Sequence, residues 1–219
     1  MRRIILSAFT SLDGVMQAPG GPAEDPTGGF TLGGWTFPYF DEESGAAMGE
    51  IFSRPFDLLL GRKTYDIFAA YWPYITDPND AFATTFNRVT KYVASHSSPK
   101  LDWKNSRWLG KDTVAALKAL KTEDGPDLMV QGSSNLLQTL WKESLVDEFT
   151  VLTFPLVLGK GKRLFSQGVP PVALKTAKSK SFSTGVIVTS YMPDGEVRTG
   201  DFGHAEPSAA ELERRRKLT

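Results

Sequence analysis

The feature that most constrains this chain is a repeated hand-over from a short apolar run to a small polar turn and then to a helix. Leu58-Leu59-Leu60 stops at Gly61-Arg62, Tyr92-Val93-Ala94 stops at Ser95-His96, and Leu128-Met129-Val130 stops at Gln131-Gly132-Ser133. Runs this short and this apolar read as strands covered on both sides, and helical patterns between them argue for a mainly parallel sheet with helices on both faces. The pattern predicts strands over 3–10, 57–60, 91–95, 106–109, 127–131 and 146–154, and helices over 41–53, 63–71, 80–88 and 133–142. Asp112 is placed to cap a further helix through Lys121, because its carboxylate can accept that end's free amides. Residues 172–181 and 186–192, joined near Ser183-Thr184-Gly185, read as two antiparallel strands.

Two segments depart from the alternation. Residues 17–34 are rich in Gly and Pro, carry no periodic pattern and read as a long loop of the kind that serves as a lid. From about Gly200 the chain becomes strongly charged, with Glu211, Glu213 and the run Arg214-Arg215-Arg216-Lys217. The expected organisation is one domain over 1–199 and a solvated tail over 200–219, with a short helix in it at most.

Composition removes several function classes. The 25 basic and 25 acidic residues cancel, so the basic surplus that a nucleic-acid partner calls for is missing. The absence of cysteine excludes disulfides, zinc thiolates, iron–sulfur clusters and a cysteine nucleophile. With only His96 and His204, no metal site is expected. The apolar start Ile4-Ile5-Leu6 ends at Ser7, too short for a signal-peptide core, and no run approaches a membrane span. The expected compartment is the cytoplasm.

The strand ends carry the chemistry. At Gly61-Arg62-Lys63-Thr64 a glycine admits close backbone approach, a helix start offers unpaired amides, and two bases and a hydroxyl are added, a set that suits a phosphate. Gly132-Ser133-Ser134 has the same form; its serines either cap the next helix or bind an anion. Open α/β sheets bind ligands at the carboxyl ends of their strands, so three such ends together would make a dinucleotide cradle. Neither a P-loop nor the Gly-x-Gly-x-x-Gly fingerprint occurs, and neither does the Gly-x-Ser-x-Gly elbow of a serine hydrolase. Gly159-Lys160-Gly161-Lys162-Arg163 reads either as a grip on a phosphorylated substrate or as a solvated turn. Trp35, inside the lid-like region, is a candidate to meet a flat substrate ring.

In this order the pieces resemble the dihydrofolate reductase superfamily, in the branch like the C-terminal reductase domain of the bifunctional riboflavin biosynthesis deaminase–reductase. The resemblance is carried by Ser11-Leu12-Asp13-Gly14 after the first strand, Gly61-Arg62-Lys63-Thr64-Tyr65, Lys91-Tyr92-Val93-Ala94-Ser95, Val130-Gln131-Gly132-Ser133, and Pro155-Leu156-Val157-Leu158-Gly159-Lys160-Gly161 with Leu164-Phe165. It covers roughly residues 1–192. It implies a three-layer α/β sandwich whose central sheet is mostly parallel with an antiparallel C-terminal edge, NADPH at the strand ends, a small-molecule substrate and a homodimer.

Carried over by position, Arg62, Lys63 and Thr64 would meet the cofactor's phosphates. Ser95 and His96 would lie near its adenosine, and Gly132, Ser133 and Ser134 at its pyrophosphate, beside Gly61 and Gln131. Ala8 and Asp13 would border the nicotinamide and substrate. Gln131 stands where the family commonly has the first of two adjacent glycines, and the zinc deaminase half has no counterpart here.

The expected reaction is hydride transfer from NADPH to a polarised C=N or C=O carbon of a small heterocycle or a ribosylamino-pyrimidine. Asp13 or Asp41, with a raised pKa, would assist protonation. Trp35, Gly159 and Lys160 would contact substrate. The competing reading is a non-catalytic nucleotide-binding protein of the same fold.

Overall fold

A computed structural model describes residues 1–165, 169–202 and 206–218. Eight strands form one sheet: β1 (Ile4–Ser11), β2 (Phe56–Gly61), β3 (Lys91–Ala94), β4 (Ser106–Trp108), β5 (Asp127–Val130), β6 (Glu148–Phe154), β7 (Leu174–Ser181) and β8 (Ile187–Pro193). Their spatial order is β4-β3-β2-β5-β1-β6-β8-β7. The pairs from β4 to β6 are parallel, whereas β8 runs antiparallel to both β6 and β7. The mostly parallel sheet with an antiparallel C-terminal edge is the one expected from the alternation of elements.

Period-two alternation within the strands divides the core. Leu59, Leu128, Val130, Ile4 and Leu6 face one side and pack on α4 (Thr113–Thr122) and α5 (Ser134–Lys142) through Leu117, Leu137, Leu140 and Trp141. Leu58, Leu60, Met129 and Ile5 face the other and pack on Tyr65 and Phe68 of α2 (Arg62–Ala69) and Phe86 of α3 (Ala81–Arg88), with Ile51 of α1 (Glu42–Ile51) beside them. Each fully buried aliphatic side chain of this kind stabilises the fold by about 1.5–3 kcal/mol.

The N-terminal ends of the parallel strands are tied by polar contacts. The buried Arg2 guanidinium donates to Asp57 at 2.5 Å, to the Tyr92 hydroxyl at 3.0 Å and to the Pro126 carbonyl at 2.7 Å. Lys91, completely buried, donates to the carbonyls of Phe86 and Asn87 at the end of α3 and lies over the Trp103 ring. Burial brings its pKa down to about 8.

Three short 3-10 turns were not anticipated: Thr27–Gly29, Phe37–Tyr39 and Trp72–Tyr74. Pro38 and Pro73 open the latter two, and a proline at that place preorganises a single turn without extending it. The strand expected from Val146 starts two residues later, because Asp147 turns back to accept from the Ile4 amide at 2.7 Å. Within the charged tail, α6 (Ala209–Arg216) buries no residue, and Glu211 pairs with Arg214 and Arg215 on its surface. His204 lies outside the described residues.

Candidate functional site

Unequal strand lengths open a crevice. β5 ends at Val130, whose partners are Leu6 on one side and Leu59 on the other. β1 runs on through Ser7, Ala8 and Phe9, and β2 runs on to Gly61, which pairs with Ala94 of β3. Above the short strand lies a cavity of about 1190 Å³. Its wall includes Ala8, Gly61, Arg62, Lys63, Thr64, Ser95, His96, Gln131, Gly132, Ser133 and Ser134, so every residue expected to meet the cofactor borders one space.

The turns at the ends of β2 and β5 interlock. A side chain at Gly61 would place its Cβ 2.8 Å from the Ser133 amide nitrogen, and nearer still to the Ser133 hydroxyl. One at Gly132 would come within 2.8 Å of the Thr64 hydroxyl. Glycine at position 61 is therefore required by the neighbouring turn, a packing reason that the sequence does not disclose. Gly132 has φ +128° and a cis peptide bond to Ser133, so unusual peptide geometry is present although Gln131 occupies the place of the family's first glycine.

Helix caps distinguish this region. Asp41, Asp80, Asp112 and Ser208 cap α1, α3, α4 and α6 with side-chain hydrogen bonds. Gly61 and Ser133, at the starts of α2 and α5, provide none. Of the two roles open to Ser133, capping is the one it does not take. The amides and positive dipole ends of α2 and α5 are left for an anion in the cavity. Gln131 adds a second, independent sign: its buried side-chain nitrogen has no hydrogen-bond partner, and the residue lines the same cavity.

Charge on this polar side is positive. Arg62 is held by Asp66 one turn along, with Nε to the carboxylate at 2.8 and 3.0 Å. Lys63 and Lys111 line the cavity and make no ion pair among the described residues. Asp112 is spent on the α4 cap, donating nothing and accepting from the Ala115 amide at 2.9 Å.

The other side is aromatic. α2 passes from Arg62–Thr64 to Ile67 and Phe68, and the wall continues through Trp72, Phe82, Phe86 and Phe52, with Met48 and Phe40 beyond. Phe86, nearly buried in the core, ties these rings together, 4.9 Å from Trp72, 5.5 Å from Phe52 and 5.9 Å from Phe68 between ring centroids.

Across from the aromatic wall runs the 17–34 loop, whose base is pinned. The Gly34 amide donates to the Ala18 carbonyl at 2.8 Å, Trp35 Nε1 to the Gln17 carbonyl at 2.8 Å, and the Gln17 side chain to the carbonyls of Asp25 and Thr27. Lys162 pairs with Asp25. The loop puts Gln17, Gly20, Glu24 and Asp25 on the cavity wall. Glu24 accepts from the amides of Gly20 at 2.6 Å and Gly21 at 3.2 Å through one oxygen. Burial nevertheless pushes its pKa up, against the lowering effect of those amides. Burial has the same sense at Asp25, but there Lys162 and Thr27 outweigh it and the pKa falls.

Five of the expected site residues lie elsewhere. Asp13 is not on the cavity wall; it accepts from the Ser11 hydroxyl at 2.6 Å, from the amides of Leu158 and Gly159 at 3.0 and 2.9 Å, and from Arg163 at 3.2 Å. The Ser11 hydroxyl above all, with those amides, brings its pKa down to about 2. Asp41 caps α1, and the Ser44 amide and hydroxyl lower its pKa as well. The expectation of a raised pKa at Asp13 or Asp41 is thus corrected, since donors to the ionised form surround both.

Trp35 is buried against Phe154 at 5.3 Å and belongs to the core. Gly159 and Lys160 do not line the main cavity. Gly159 completes the Asp13 turn, while Lys160 borders a separate hollow of about 280 Å³ beside Thr27 and Phe30. Glu24 is the functional candidate that sequence reasoning missed. A signal for it exists: a carboxylate three residues after Gly20-Gly21 can fold back on those amides.

Among the described residues no group of three or more His, Asp or Glu could hold a metal ion, and no helix is long and apolar enough to cross a membrane. The family model of the RibD C-terminal domain matches residues 2–188. The uncharacterized protein YyaP of Bacillus subtilis (strain 168) is 28% identical over 200 residues, which span 89% of this chain and 96% of that protein. Among solved structures, a putative riboflavin biosynthesis protein from Shewanella sp. PV-4 is similar with a TM-score of 0.59 at 21% identity, covering 88% of this chain and 99% of the other. Dihydrofolate reductase from Enterococcus faecalis, complexed with NADP(H), is similar with a TM-score of 0.52 at 11% identity over 88% of this chain and 96% of its own. At these identities the two structures establish a shared fold.

Proposed function

The chain belongs to the RibD C-terminal domain family, and from that premise we propose that it is an NADPH-dependent reductase acting on a small heterocycle. The observation that carries this reading is the pair of uncapped helix starts, α2 and α5, opening on one cavity together with the unpartnered nitrogen of Gln131. That set fits a dinucleotide: the α5 start with Ser133 and Ser134 for its pyrophosphate, Arg62, Lys63 and Thr64 for a further phosphate, and Ser95 and His96 for the adenosine end. NADPH, when bound, supplies the hydride.

The chain's own part in the reaction is binding, orientation, dryness and a proton. Ala8, a small buried residue in the part of β1 that runs past the end of β5, borders the cavity beside Ser7 and Phe9. The pinned 17–34 loop and the aromatic wall keep water from that place. Reduction of a C=N or C=O bond adds hydride to the carbon and a proton to the heteroatom. Glu24 is the carboxyl suited to hold that proton: it faces the cavity, and burial favours its neutral form. It takes the part that sequence reasoning assigned to Asp13 or Asp41.

On the same reading the chain works in the cytoplasm, without nucleic-acid or membrane partners, and the resemblance to its family supports pairing with a second copy. A large aromatic compartment beside the cofactor region favours a reductase over a protein that only binds nucleotide. Two measurements test the proposal. NADPH titrated against tryptophan fluorescence should saturate, and NADPH should be oxidised with at least one compound from a panel of heterocycles. Absence of saturable NADPH binding would remove the reading; binding without oxidation of any compound would favour the non-catalytic alternative.

A further inference from the structure

Resting on the reductase reading, we propose that the aromatic side of the cavity takes a flat, apolar ring that carries no phosphate and is neutral or cationic. This parts company with a ribosylamino-pyrimidine phosphate as substrate. The inference comes from what the wall offers. Phe40, Phe52, Phe68, Trp72 and Phe82 line the cavity from α1, α2, α3 and the two proline-opened turns, packed on the nearly buried Phe86. Such a surface favours a planar apolar guest, and buried apolar area is what it has to contribute.

A phosphate needs free cations and donors, and the described polar side chains on this part of the wall are already committed. Lys162, the one lysine of the loop side of the wall, is committed to Asp25 and to the Thr27 hydroxyl at 2.9 Å. Gln17 uses its amide nitrogen on two carbonyls and accepts from the Lys162 amide with its oxygen. The Thr36 hydroxyl donates to the Pro19 carbonyl at 2.7 Å. Gly159 and Lys160, which look like a phosphate grip in the sequence, stand outside this space.

The cations that remain, Arg62, Lys63 and Lys111, lie on the polar side with the uncapped helix starts. Among the described cavity-lining residues of the loop, Glu24 is the carboxyl left without a cation, since Asp25 is paired with Lys162. Facing an anionic guest it would repel; facing a ring nitrogen or carbonyl it would donate or accept a hydrogen bond.

A matched pair of probes isolates the phosphate. Riboflavin and flavin mononucleotide share one flat ring and differ by a terminal phosphate. Their binding is measured by quenching of flavin fluorescence on protein saturated with NADP⁺, which keeps the phosphate out of the polar side and prevents turnover. Riboflavin is expected to bind at least about tenfold more tightly, because the extra anion would be desolvated without a partner. Measured at a pH above the raised pKa of Glu24, where its carboxylate is ionised, Glu24→Gln should narrow the gap by removing a like charge, and Trp72→Ala should weaken riboflavin at least about fivefold while leaving NADP⁺ affinity within about twofold. Equal or tighter binding of flavin mononucleotide, or no binding of either flavin to the NADP⁺-loaded protein, would overturn the proposal. Should NADP⁺ itself fail to bind, the reductase reading falls separately; riboflavin titrated against the cofactor-free protein and its Trp72→Ala variant still tests the aromatic side.

Discussion

The amide of Gly61 donates to the carbonyl oxygen of Gly132 across 3.0 Å, joining the end of β2 to the turn that follows β5. The two turns lie 71 positions apart in the chain, as 132 less 61, yet they pack directly against each other. Gly61 leaves room for Ser133, and Gly132 leaves room for Thr64. This contact sets the two uncapped helix starts side by side on one cavity wall.

Gly61→Ala therefore tests the interlock. The added methyl would collide with backbone and side chain of Ser133, neither of which is the loose end of a long side chain. Overpacking of this kind costs about 1–3 kcal/mol, read as a lower denaturation midpoint at unchanged slope. NADPH affinity should fall by more than the loss of stability alone explains, because the α5 start moves. Unchanged stability would mean that the two turns yield easily.

Much of this architecture is legible from residue pattern alone. Apolar runs such as Leu58-Leu59-Leu60 and caps such as Asp112 state their own local structure, and the sheet follows from their alternation. That Gly61–Thr64, Ser95–His96 and Gln131–Ser134 border one cavity is legible for the same reason, since these residues sit next to strand ends that topology brings together. What sequence cannot convey is which polar group meets which partner across long separations. Asp13 reads as a free carboxylate until the Leu158–Gly159 turn is seen folded onto it, and Trp35 reads as a ring for substrate until Phe154 is seen beside it. Glu24 reads as a loop residue until the aromatic wall opposite is known.

Arg62 should distinguish the two nicotinamide cofactors. Its pairing with Asp66 is exposed and worth little, about 0.3–0.5 kcal/mol for a pair spaced i,i+4, so it can be given up for a phosphate. Arg62→Ala is expected to weaken NADPH roughly tenfold and NADH far less, measured by titration of each. Equal losses for both cofactors would remove a 2′-phosphate role for Arg62.

Asp13 should behave as a structural carboxylate. Its folded pKa, about 2, lies below the ordinary 3.8, so it binds fewer protons folded than unfolded through that interval. Its contribution to stability is present above pH 3.8 and is lost as pH falls toward 2. Asp13→Asn should lose about 1–3 kcal/mol at neutral pH, as the charge-assisted bonds from Leu158, Gly159 and Arg163 weaken, and should show a shallower acid limb in denaturation midpoints. A large fall in turnover with stability intact would return Asp13 to the chemistry.

Glu24 carries the opposite sign. Its folded pKa lies above the ordinary 4.5, so the folded chain holds the proton more tightly than the unfolded one. Folding stability should decline as pH rises from 4.5 through the raised value, and Glu24→Gln should abolish that decline. The same ionisation should govern reduction. With Glu24 protonated the reaction has a local proton for the heteroatom; once it ionises, the rate should fall about tenfold per pH unit until solvent takes over. Glutamine preserves the loop, because its side-chain oxygen can still accept from the amides of Gly20 and Gly21. Glu24→Gln should thus lower turnover by about 10²–10⁴-fold at the acid plateau, the ordinary worth of a placed proton donor, and leave a flat pH profile with NADPH affinity unchanged. Rates followed by loss of NADPH absorbance decide the matter: a variant as fast as the parent, with the same pH profile, would show that the proton comes from elsewhere.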